Sequence, residues 1–543
     1  MLTTGETRAP GAAPDWVAQG WWTGEPLWTS LERAAAGPGR ASWIADESEQ
    51  IPIAELLARA RAAAGAFAAA GLGPGDAVVI QSRNRIEAFV AMLGCFAGGH
   101  LAVPLPPIFS ARQVAAAARS SAARGFVLFD GDGLARAAEI SAQAKETPIV
   151  FAPAAAADAP LVRPWSAVRA APRLAPAPLA AGAPAFALFS SGSLGEPKGV
   201  VHSANTLRYA SLAVARRHGV GARDVVLVAL EFGFVGGLVL NVLLALLTGA
   251  SVVLMRKWDP AETLALIARR RVTYSLLMPT HCHDLLKSPA LAAADTRSLT
   301  RAVMAGINRD ARIEAEKTFC RRPLAMFGMS EAIGHATPSP GDPDEARWST
   351  DGRALDGAEA LILASAGEPA SADEPGDLLV RGPNRFLAYL GRPDLTADAL
   401  TTDGWFRTGD RAVVDRAGFL TFIGRDKDII RRGGVTILPG DIENALIGHP
   451  AIAEVSVVAV PDERLGERAC ACIVARGGPP PDVAALAAYL EAQNVARYLW
   501  PEHALAFESL PRTVSLKVRR ADLRAEAIAR LSAAGALAPP AAR

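Results

Sequence analysis

The segment at residues 190–199 carries the residue types that hold polyphosphate. It follows an apolar stretch, 186–189, which reads as a buried strand. Glycine lets the backbone approach a ligand closely, hydroxyls donate hydrogen bonds, and lysine supplies a point charge. The candidate phosphate-binding residues are Ser190, Ser191, Gly192, Ser193, Gly195 and Lys198. Composition alone leaves a Ser/Gly-rich surface turn open, because Pro197 stands where the usual G-x-x-x-x-G-K-[ST] loop has glycine.

Two carboxylates stand in segments that could serve a nucleotide. Residues 326–331 read Met-Phe-Gly-Met-Ser-Glu and end on Glu331. Mg²⁺ takes a carboxylate together with phosphate oxygens. Residues 404–410 place Asp410 in a glycine turn, where one carboxylate can accept hydrogen bonds from both hydroxyls of a ribose. Taken alone, the first segment also fits a strand that ends in an ordinary turn.

Three segments rich in charged residues and glycine lie nearer the C-terminus. Residues 422–428 mix charges, as a linker between domains would. Residues 430–443 contain Gly433 and Gly434, and small residues there leave room for a narrow ligand arm beside the backbone. Residues 511–520 contain Lys517, one of several basic side chains in that segment, which by default is a surface lysine.

In this order, the six segments resemble the motifs of the adenylate-forming superfamily, which includes acyl- and aryl-CoA ligases, peptide-synthetase adenylation domains and firefly luciferase. The resemblance spans nearly the whole chain. It implies three catalytic residues. Lys198 with the loop hydroxyls would hold the β- and γ-phosphates, Glu331 would bind Mg²⁺, and Lys517 would bridge the substrate carboxylate and the α-phosphate. Lys427 falls on the hinge position of the family.

The resemblance also implies a set of residues that contact the nucleotide or line the thiol tunnel. These are Gly306, Phe327, Gly328, Met329, Ser330, Asp410, Phe422, Arg425, Gly433 and Gly434. The chain departs from the family pattern at Leu194, Ala204, Ala305 and Leu516. None of these departures removes a charge from the expected site.

The reaction that the resemblance implies has two halves and uses ATP, Mg²⁺ and CoA. A carboxylic acid first forms an acyl-adenylate, and a CoA thiol then takes the acyl group after the small domain has rotated about Lys427. That rotation would withdraw Lys517 and present Gly434. Two alternatives stay open: an acyl-AMP ligase that loads a separate carrier protein, and a non-catalytic protein that binds acyl-adenylate.

Segments 231–237 and 332–335 are expected to wall the acyl pocket. Their apolar, aromatic or small residues suit a compact hydrophobic acid. The candidate substrate-binding residues are Phe234, Gly236, Gly237, Ile333 and Gly334. The motif spellings look most like cyclohexanecarboxylate-CoA ligases and dihydroxybenzoate-activating enzymes. Gly233 stands where the latter read a phenolic hydroxyl with a polar residue, which favours an alicyclic, aryl or medium-chain acid without that group.

Composition limits the partners. The chain has 543 residues and a net charge of +1, which produces no field that favours nucleic acid or an anionic membrane. Five cysteines and an N-terminus without a basic-then-apolar leader lead us to expect a cytoplasmic protein. Residues 232–255 are long enough to span a bilayer, but their glycines and β-like end favour a buried helix followed by a strand. A homodimer stays open.

These residues must be positioned by an α/β fold. Alternating helical and apolar patterns predict parallel βα subdomains covered by helices, with a β-rich subdomain over 373–418. We expect an N-terminal domain over 1–424 that binds ATP and the acid. A small mobile α+β domain should cover 425–543, with its hinge near 425–428. Residues 152–184 are predicted to be a loose connection.

Overall fold

The computed structural model describes residues 14–130, 149–153, 162–190, 198–364, 367–425, 428–433, 435–512 and 518–537. Seven predicted site residues lie outside these ranges, namely Ser191, Gly192, Ser193, Gly195, Lys427, Gly434 and Lys517. Two of the departures from the family pattern, Leu194 and Leu516, lie outside them as well.

Fourteen strands precede residue 330 in the described chain. They are β1 (Trp43–Ala45), β2 (Gln50–Pro52), β3 (Ala77–Gln81), β4 (Leu101–Leu105), β5 (Gly125–Leu128), β6 (Ile149–Ala152), β7 (Val162–Pro164), β8 (Pro184–Ser190), β9 (Lys198–Ser203), β10 (Val225–Val228), β11 (Ser251–Leu254), β12 (Tyr274–Leu277), β13 (Arg301–Met304) and β14 (Pro323–Leu324). The helices among them are α1 (Leu27–Ala36), α2 (Ile53–Ala69), α3 (Ile86–Gly98), α4 (Ala111–Ser121), α5 (Trp165–Ala170), α6 (Ala204–His218), α7 (Val235–Gly237), α8 (Leu244–Thr248), α9 (Pro260–Arg270), α10 (Pro279–Lys287) and α11 (Arg309–Thr318).

The described chain after residue 330 contains shorter helices and mostly antiparallel strands. The strands are β15 (Ala336–Thr337), β16 (Arg353–Ala354), β17 (Glu359–Leu363), β18 (Gly376–Arg381), β19 (Ala388–Tyr389), β20 (Phe406–Val414), β21 (Leu420–Arg425), β22 (Ile430–Arg432), β23 (Val435–Ile437), β24 (Ile452–Asp462), β25 (Gly466–Ala475) and β26 (His503–Ala506). The helices are α12 (Asp344–Ser349), α13 (Pro393–Ala399), α14 (Pro439–Leu446), α15 (Val483–Ala492) and α16 (Arg520–Ala533).

Two large sheets form the body of the N-terminal part. One has the order β19-β9-β8-β4-β3-β5-β6-β7 and the other the order β14-β13-β12-β10-β11-β1-β2. Strands β3 to β8 pair in parallel, as the βα pattern predicts. The edges differ from that prediction, because β9 pairs antiparallel with both β8 and β19 in the first sheet, and β2 pairs antiparallel with β1 in the second. Only seven residues separate β8 from β9 in the sequence, and a connection that short can join antiparallel neighbours but not parallel ones.

Helix α3 packs between the two sheets. One buried cluster joins Phe89 and Met92 of α3 to Val78 of β3 and Val226 of β10. Two other clusters cover the outer faces, with Val114 of α4 on the first sheet and helices α9 and α11 on the second. The central strands, such as β3, β4 and β12, are buried on both faces, which is why they read as continuous apolar runs in the sequence.

The uncharged segment 232–255 is a buried helix followed by a parallel strand, as predicted. Its helix is α7, a π-helical turn over Leu238–Leu243, and α8, and β11 then pairs with β10 and β1. Within the described ranges, no helix combines the length and apolar character that a membrane crossing needs. The π-helical turn had no signal in the sequence.

The β-rich part and the C-terminal part also match the expected elements. Strands β17, β18, β20 and β21 form an antiparallel sheet that begins before residue 373, at Glu359. Strands β22 to β26 form a separate sheet with its own buried clusters, and one of these contains both Cys470 and Cys472. The loose connection predicted at 152–184 contains two elements, β7 and α5, because Trp165 and Val168 bury against the core.

Candidate active site

The phosphate-loop candidate closes a hairpin. Strands β8 and β9 pair so that Ser190 lies opposite Lys198, and residues 191–197, which stand between these strands in the sequence, lie outside the described ranges. The next residue, Gly199, lies in a close approach: a Cβ atom on it would come within 2.9 Å of Phe189 Cζ and 3.0 Å of Leu390 Cβ. The glycine after the lysine is therefore required by packing, and it keeps β9 close to the segment that contains Leu390.

Glu331 lies at the tip of a tight loop. Phe327 and Ala336 exchange two backbone hydrogen bonds of 2.9 and 3.1 Å, and Met329 and Ala332 exchange two more of 3.1 and 3.2 Å. Glu331 follows Ser330 between these paired residues. The predicted residues Phe327, Gly328, Met329, Ser330 and Glu331 thus belong to one turn.

A single short segment ties this loop to the hairpin. The backbone N–H of Phe386 donates to the carbonyl of Glu331 at 2.8 Å. One residue later, the N–H of Leu387 donates to the carbonyl of Val201, and that of Leu390 donates to Gly199, both at 2.8 Å. Residues 386–390 therefore bring the two charged candidates, Lys198 and Glu331, to the same place.

Tyr389 of this segment contacts both charged side chains. Its hydroxyl donates a hydrogen bond of 2.9 Å to Glu331 Oε1, and the Lys198 Nζ atom lies 5.3 Å from the centre of its ring. Burial raises the pKa of Tyr389, and the neighbouring Glu331 carboxylate raises it further. Tyr389 therefore keeps its proton and remains a donor.

Three buried histidines hold the loop that carries Glu331. His202 Nε2 lies 2.7 Å from the Ser330 carbonyl oxygen. Because a carbonyl only accepts, Nε2 carries the hydrogen. Burial lowers the pKa of His202 to about 4, so the ring is neutral. The second histidine, His335, places Nε2 3.0 Å from the Glu359 carbonyl oxygen, and burial lowers its pKa to about 4.

The third histidine, His218, fixes the base of the same loop. The Thr337 hydroxyl donates to the Ala325 carbonyl at 2.7 Å and accepts from His218 Nε2 at 2.8 Å. His218 Nδ1 then accepts from the Tyr274 hydroxyl at 3.0 Å. Burial lowers the pKa of His218 to about 3. The chain from Tyr274 to Ala325 is thus fully hydrogen-bonded with a neutral imidazole.

The residues predicted to contact adenine and ribose lie in two pairs. The rings of Phe327 and Phe422 lie 6.1 Å apart with an interplanar angle of 28°, and Phe422 is 40% exposed. Asp410 and Arg425 face each other across β20 and β21, with Arg425 Nε 3.2 Å from Asp410 Oδ1. An open aromatic face and a buried carboxylate held by a cation suit a purine and a diol.

Gly306 lies in the turn between β13 and α11. The nearest atom to a Cβ placed on it would be Pro279 Cγ, at 3.7 Å, so no backbone crowds this glycine. Helix α11 begins directly afterwards, where the Asn308 side chain accepts from the Ala311 N–H at 2.9 Å. The turn therefore lies at the carboxyl ends of the parallel strands, where ligands of such sheets bind.

The predicted acyl-pocket residues are packed more tightly than open pocket walls. Gly236 and Gly237 are buried against Leu230, and Ile333 is fully buried in the core. A Cβ atom on Gly334 would come within 3.0 Å of Val214 Cγ2. Phe234 is the partly exposed member of the set.

The conformation and surroundings of the backbone require glycine at position 233. Its φ angle is +96°, and a Cβ atom there would lie 2.4 Å from the Pro106 backbone nitrogen. A side chain at this position is excluded by both conformation and space. The neighbouring Glu231 lies 3.8 Å from Arg83, and burial raises its pKa.

In the C-terminal part, Gly433 forms the turn between β22 and β23, where its N–H donates to the Leu465 carbonyl at 2.7 Å. A Cβ atom on Gly424 would lie 3.8 Å from Leu438 Cδ2, so the end of β21 approaches the chain just before α14. Across the described residues, no group of three or more His, Cys, Asp or Glu side chains could hold a metal ion.

The sequence motifs did not indicate Tyr389, His202, His218 or Asn384, whose Nδ2 atom donates to the Ile333 carbonyl at 3.0 Å. His335 belongs to segment 332–335, which is expected to wall the acyl pocket, but its ring contacts the Glu359 carbonyl. The contacts of these residues join segments far apart in the chain. The apolar residues at 386–389, which end on a tyrosine, gave only a weak indication of a strand.

Two α/β sheets that bring a lysine and a carboxylate together at one tyrosine are typical of an enzyme that uses a nucleotide. The chain belongs to the AMP-binding enzyme family, which matches residues 31–390, and the family's C-terminal domain matches residues 441–517. This confirms the superfamily and the fold class that the sequence motifs indicated.

Three similar proteins illustrate the range of the family. The medium-chain fatty-acid–CoA ligase of Escherichia coli K12 is 34% identical over 353 residues, which are 64% of this chain and 62% of that protein. The salicyl-AMP ligase / salicyl-S-ArCP synthetase of Mycobacterium tuberculosis is 32% identical over 542 residues, covering 95% and 94% of the two chains. Among solved structures, ATP-bound MatB from Rhodopseudomonas palustris is similar to this chain. The two sequences are 25% identical, and the TM-score is 0.83, with 93% of this chain and 99% of that chain covered.

Proposed function

We propose that this protein activates a carboxylic acid with ATP to an acyl-adenylate and then transfers the acyl group to the thiol of CoA. The observation that carries the proposal is the convergence of Lys198 and Glu331 on Tyr389. Lys198 begins the strand after the glycine-rich loop, and Phe327 belongs to the same loop as Glu331. The convergence thus brings a cation, a carboxylate and an aromatic face together.

In this proposal, the chain acts on ATP by position and charge. Lys198 and the loop hydroxyls hold the β- and γ-phosphates, the Phe327 and Phe422 rings flank the adenine, and Asp410 accepts the ribose hydroxyls while Arg425 holds its carboxylate. Displacement at phosphorus needs little covalent help from a protein, so alignment and stabilisation of charge supply most of the acceleration.

Glu331 fits a magnesium ligand. It is a hard oxygen donor, half-buried at a loop tip, and among the described residues the Tyr389 hydroxyl is the side-chain donor that occupies it. The other carboxylate oxygen is then available to a cation. Mg²⁺ bound here would draw its remaining ligands from phosphate and water and would offset charge on the phosphates.

The C-terminal domain is assigned three further roles, which fall to Lys517, Lys427 and Gly434. Lys517 would bring the substrate carboxylate to the α-phosphate in the first half-reaction. The C-terminal domain, residues 425–543, would then turn about Lys427 against the N-terminal domain, residues 1–424, and Gly434 would line the path of the thiol. The match to the family's C-terminal domain over 441–517, which ends at Lys517, supports the role of that lysine.

The proposed substrate is an alicyclic, aryl or medium-chain acid. The partly exposed Phe234 and its apolar surroundings at Gly236 and Gly237 support it, and so does the similarity to a medium-chain fatty-acid–CoA ligase. The close approach of Gly233 to Pro106 leaves no room for a side chain that would read a phenolic hydroxyl at this position. Five free, buried cysteines agree with a reducing, cytoplasmic location.

A separate carrier protein is the second candidate acceptor. It is supported by the similarity to a salicyl-S-ArCP synthetase across almost the full length of both chains. The two acceptors require the same first half-reaction and differ only in the thiol that reaches the adenylate.

Pyrophosphate release with a panel of carboxylic acids, measured with and without CoA, tests the proposal. We expect release with at least one hydrophobic acid, and CoA consumption with the same acid. Adenylate formation without CoA consumption would favour a carrier acceptor. An enzyme that binds ATP but releases no pyrophosphate with any acid would refute the catalytic assignment.

A further inference from the structure

We infer that Tyr389 is a positioning residue that holds the Glu331 carboxylate ready for Mg²⁺ and keeps the Lys198 ammonium from pairing with it. This inference rests on the proposed function, because it assigns Glu331 and Lys198 to the metal and the phosphates. It concerns a residue that none of the six sequence motifs contains.

The Tyr389 hydroxyl orients the Glu331 carboxylate. The Tyr389 hydroxyl donates to Oε1 of Glu331 at 2.9 Å, and Tyr389 is 8% exposed. A protonated phenol is a neutral donor, so it fixes one carboxylate oxygen without neutralising the charge. The second oxygen remains free to bind a cation that prefers oxygen ligands.

The Tyr389 ring also sets the position of the Lys198 ammonium. Lys198 Nζ lies 5.3 Å from the centre of the Tyr389 ring. Among the described residues no carboxylate oxygen pairs with this ammonium, although Glu331 binds the hydroxyl of the same tyrosine. The ring attracts the cation through its face and thereby separates it from the carboxylate.

Separation matters because both charges are needed for the same substrate. A direct ion pair between Lys198 and Glu331 would have to be broken before phosphate and metal could bind. Partly buried ion pairs lose much of their gain to desolvation, but removing one partner leaves the other charge uncompensated. A neutral aromatic spacer avoids both costs.

The backbone keeps the spacer in place. Tyr389 lies opposite Val200 in the pairing of β19 with β9, and its N–H donates to Thr396 Oγ1 at 3.0 Å. Its ring also packs against Phe386 at a centroid distance of 4.8 Å. The strand register therefore sets the distance of the ring from both charged groups.

The test compares Tyr389→Phe, which keeps the ring, with Tyr389→Leu, which removes it. Binding of ATP is measured by calorimetry without any acid, at a series of Mg²⁺ concentrations and in EDTA. We expect Tyr389→Phe to raise the Mg²⁺ concentration for half-maximal enhancement of ATP binding by about fivefold to tenfold. Its metal-free ATP affinity should stay as in the wild type. Tyr389→Leu should also lower the metal-free affinity by about threefold, because Lys198 loses the ring.

A double variant separates positioning from general support of the fold. In a Glu331→Gln background, Tyr389→Phe should cause no further shift of the Mg²⁺ curve, because the two residues act through one contact. Tyr498→Phe, at an exposed tyrosine of the C-terminal part, serves as the matched control and should leave every curve unchanged.

The inference is overturned if the Tyr389→Phe curve coincides with the wild type, or if the shift persists in the Glu331→Gln background. A lower unfolding temperature without a shifted Mg²⁺ curve also overturns it, since that would make Tyr389 purely structural. The expected shifts without pyrophosphate release from any acid would support this inference while refuting the proposed function.

Discussion

His202 Nε2 lies 2.7 Å from the carbonyl oxygen of Ser330, so the strand that begins at Lys198 also fixes the loop that ends at Glu331. The imidazole is buried and neutral, and its hydrogen bond spans two segments distant in the chain. Strand β9 therefore contributes twice to the site: its first residue supplies a charge, and its fifth residue orients the backbone beside the other charge.

Lys198→Ala should weaken the grip on the terminal phosphates of ATP. We expect the KM for ATP to rise about tenfold and the rate of ATP–pyrophosphate exchange to fall about 100-fold, because a charge aimed at the phosphates is lost. Lys317→Ala, at an exposed lysine of α11, is the matched control and should keep wild-type exchange. Equal effects of the two substitutions would contradict the role of Lys198.

The stability of the fold should depend on pH through the buried histidines. Burial lowers the pKa of His202 and of His335 to about 4, below the value of about 6.5 expected in the unfolded chain. The unfolded state binds more protons between these values, so stability is complete above pH ~6.5 and is lost as the pH falls toward ~4. Each histidine accounts for about 3 kcal/mol at most.

Urea unfolding between pH 7.5 and 4.5 measures this loss. His202→Gln keeps an N–H donor for Ser330 but cannot take up a proton, so its free energy of unfolding should fall less steeply with decreasing pH. An unchanged slope in His202→Gln would argue against a neutral His202.

Asp410→Asn should affect recognition of the ribose. The carboxylate is buried beside Arg425, and an amide oxygen is a weaker acceptor for two hydroxyls. We expect the wild type to prefer ATP over 2′-deoxy-ATP by about tenfold in kcat/KM, and the Asp410→Asn variant to lose most of this preference. A variant that weakens the use of both nucleotides equally would assign Asp410 a structural role instead.

Gly233→Ala should destabilise the fold by about 2–4 kcal/mol, because the new methyl group would meet the Pro106 backbone in a left-handed conformation. Gly71 provides a close control: its φ angle is +97° and no atom lies within 4 Å of a Cβ built on it. Gly71→Ala should therefore show only the conformational cost, about 1–2 kcal/mol. Chemical unfolding measures the loss in free energy of unfolding for both variants. Equal losses would show that the Pro106 backbone adds no steric cost at position 233.

Lys517→Ala should separate the two half-reactions. We expect it to abolish formation of the acyl-adenylate, since the proposed bridge between carboxylate and α-phosphate is lost, and to leave thioester formation from supplied acyl-adenylate largely intact. Pyrophosphate release and thioester yield are measured on the same preparation. An equal loss of adenylate formation and thioester formation would contradict the role assigned to Lys517.

Much of the fold follows from local patterns. The continuous apolar runs of β3 and β10 predict buried parallel strands, and the glycine-rich loop after β8 predicts a phosphate-binding site. The approach of Asp410 to Arg425 needed more than their motifs, since it depends on the register of β20 against β21. Tyr389 and His218 could not be found from sequence, because each contacts side chains that only tertiary pairing brings close.

Strand β19 is two residues long, yet it has a consequence for the order in which the molecule assembles. Ala388 and Tyr389 pair with Val201 and Val200, and until they do so β9 remains an open edge. A nascent chain that has not yet passed residue 390 thus pairs β9 with β8 alone, and the other edge of β9 is open. The contacts of Tyr389 with Lys198 and Glu331 can therefore form only after the chain that builds most of both N-terminal sheets has been synthesised.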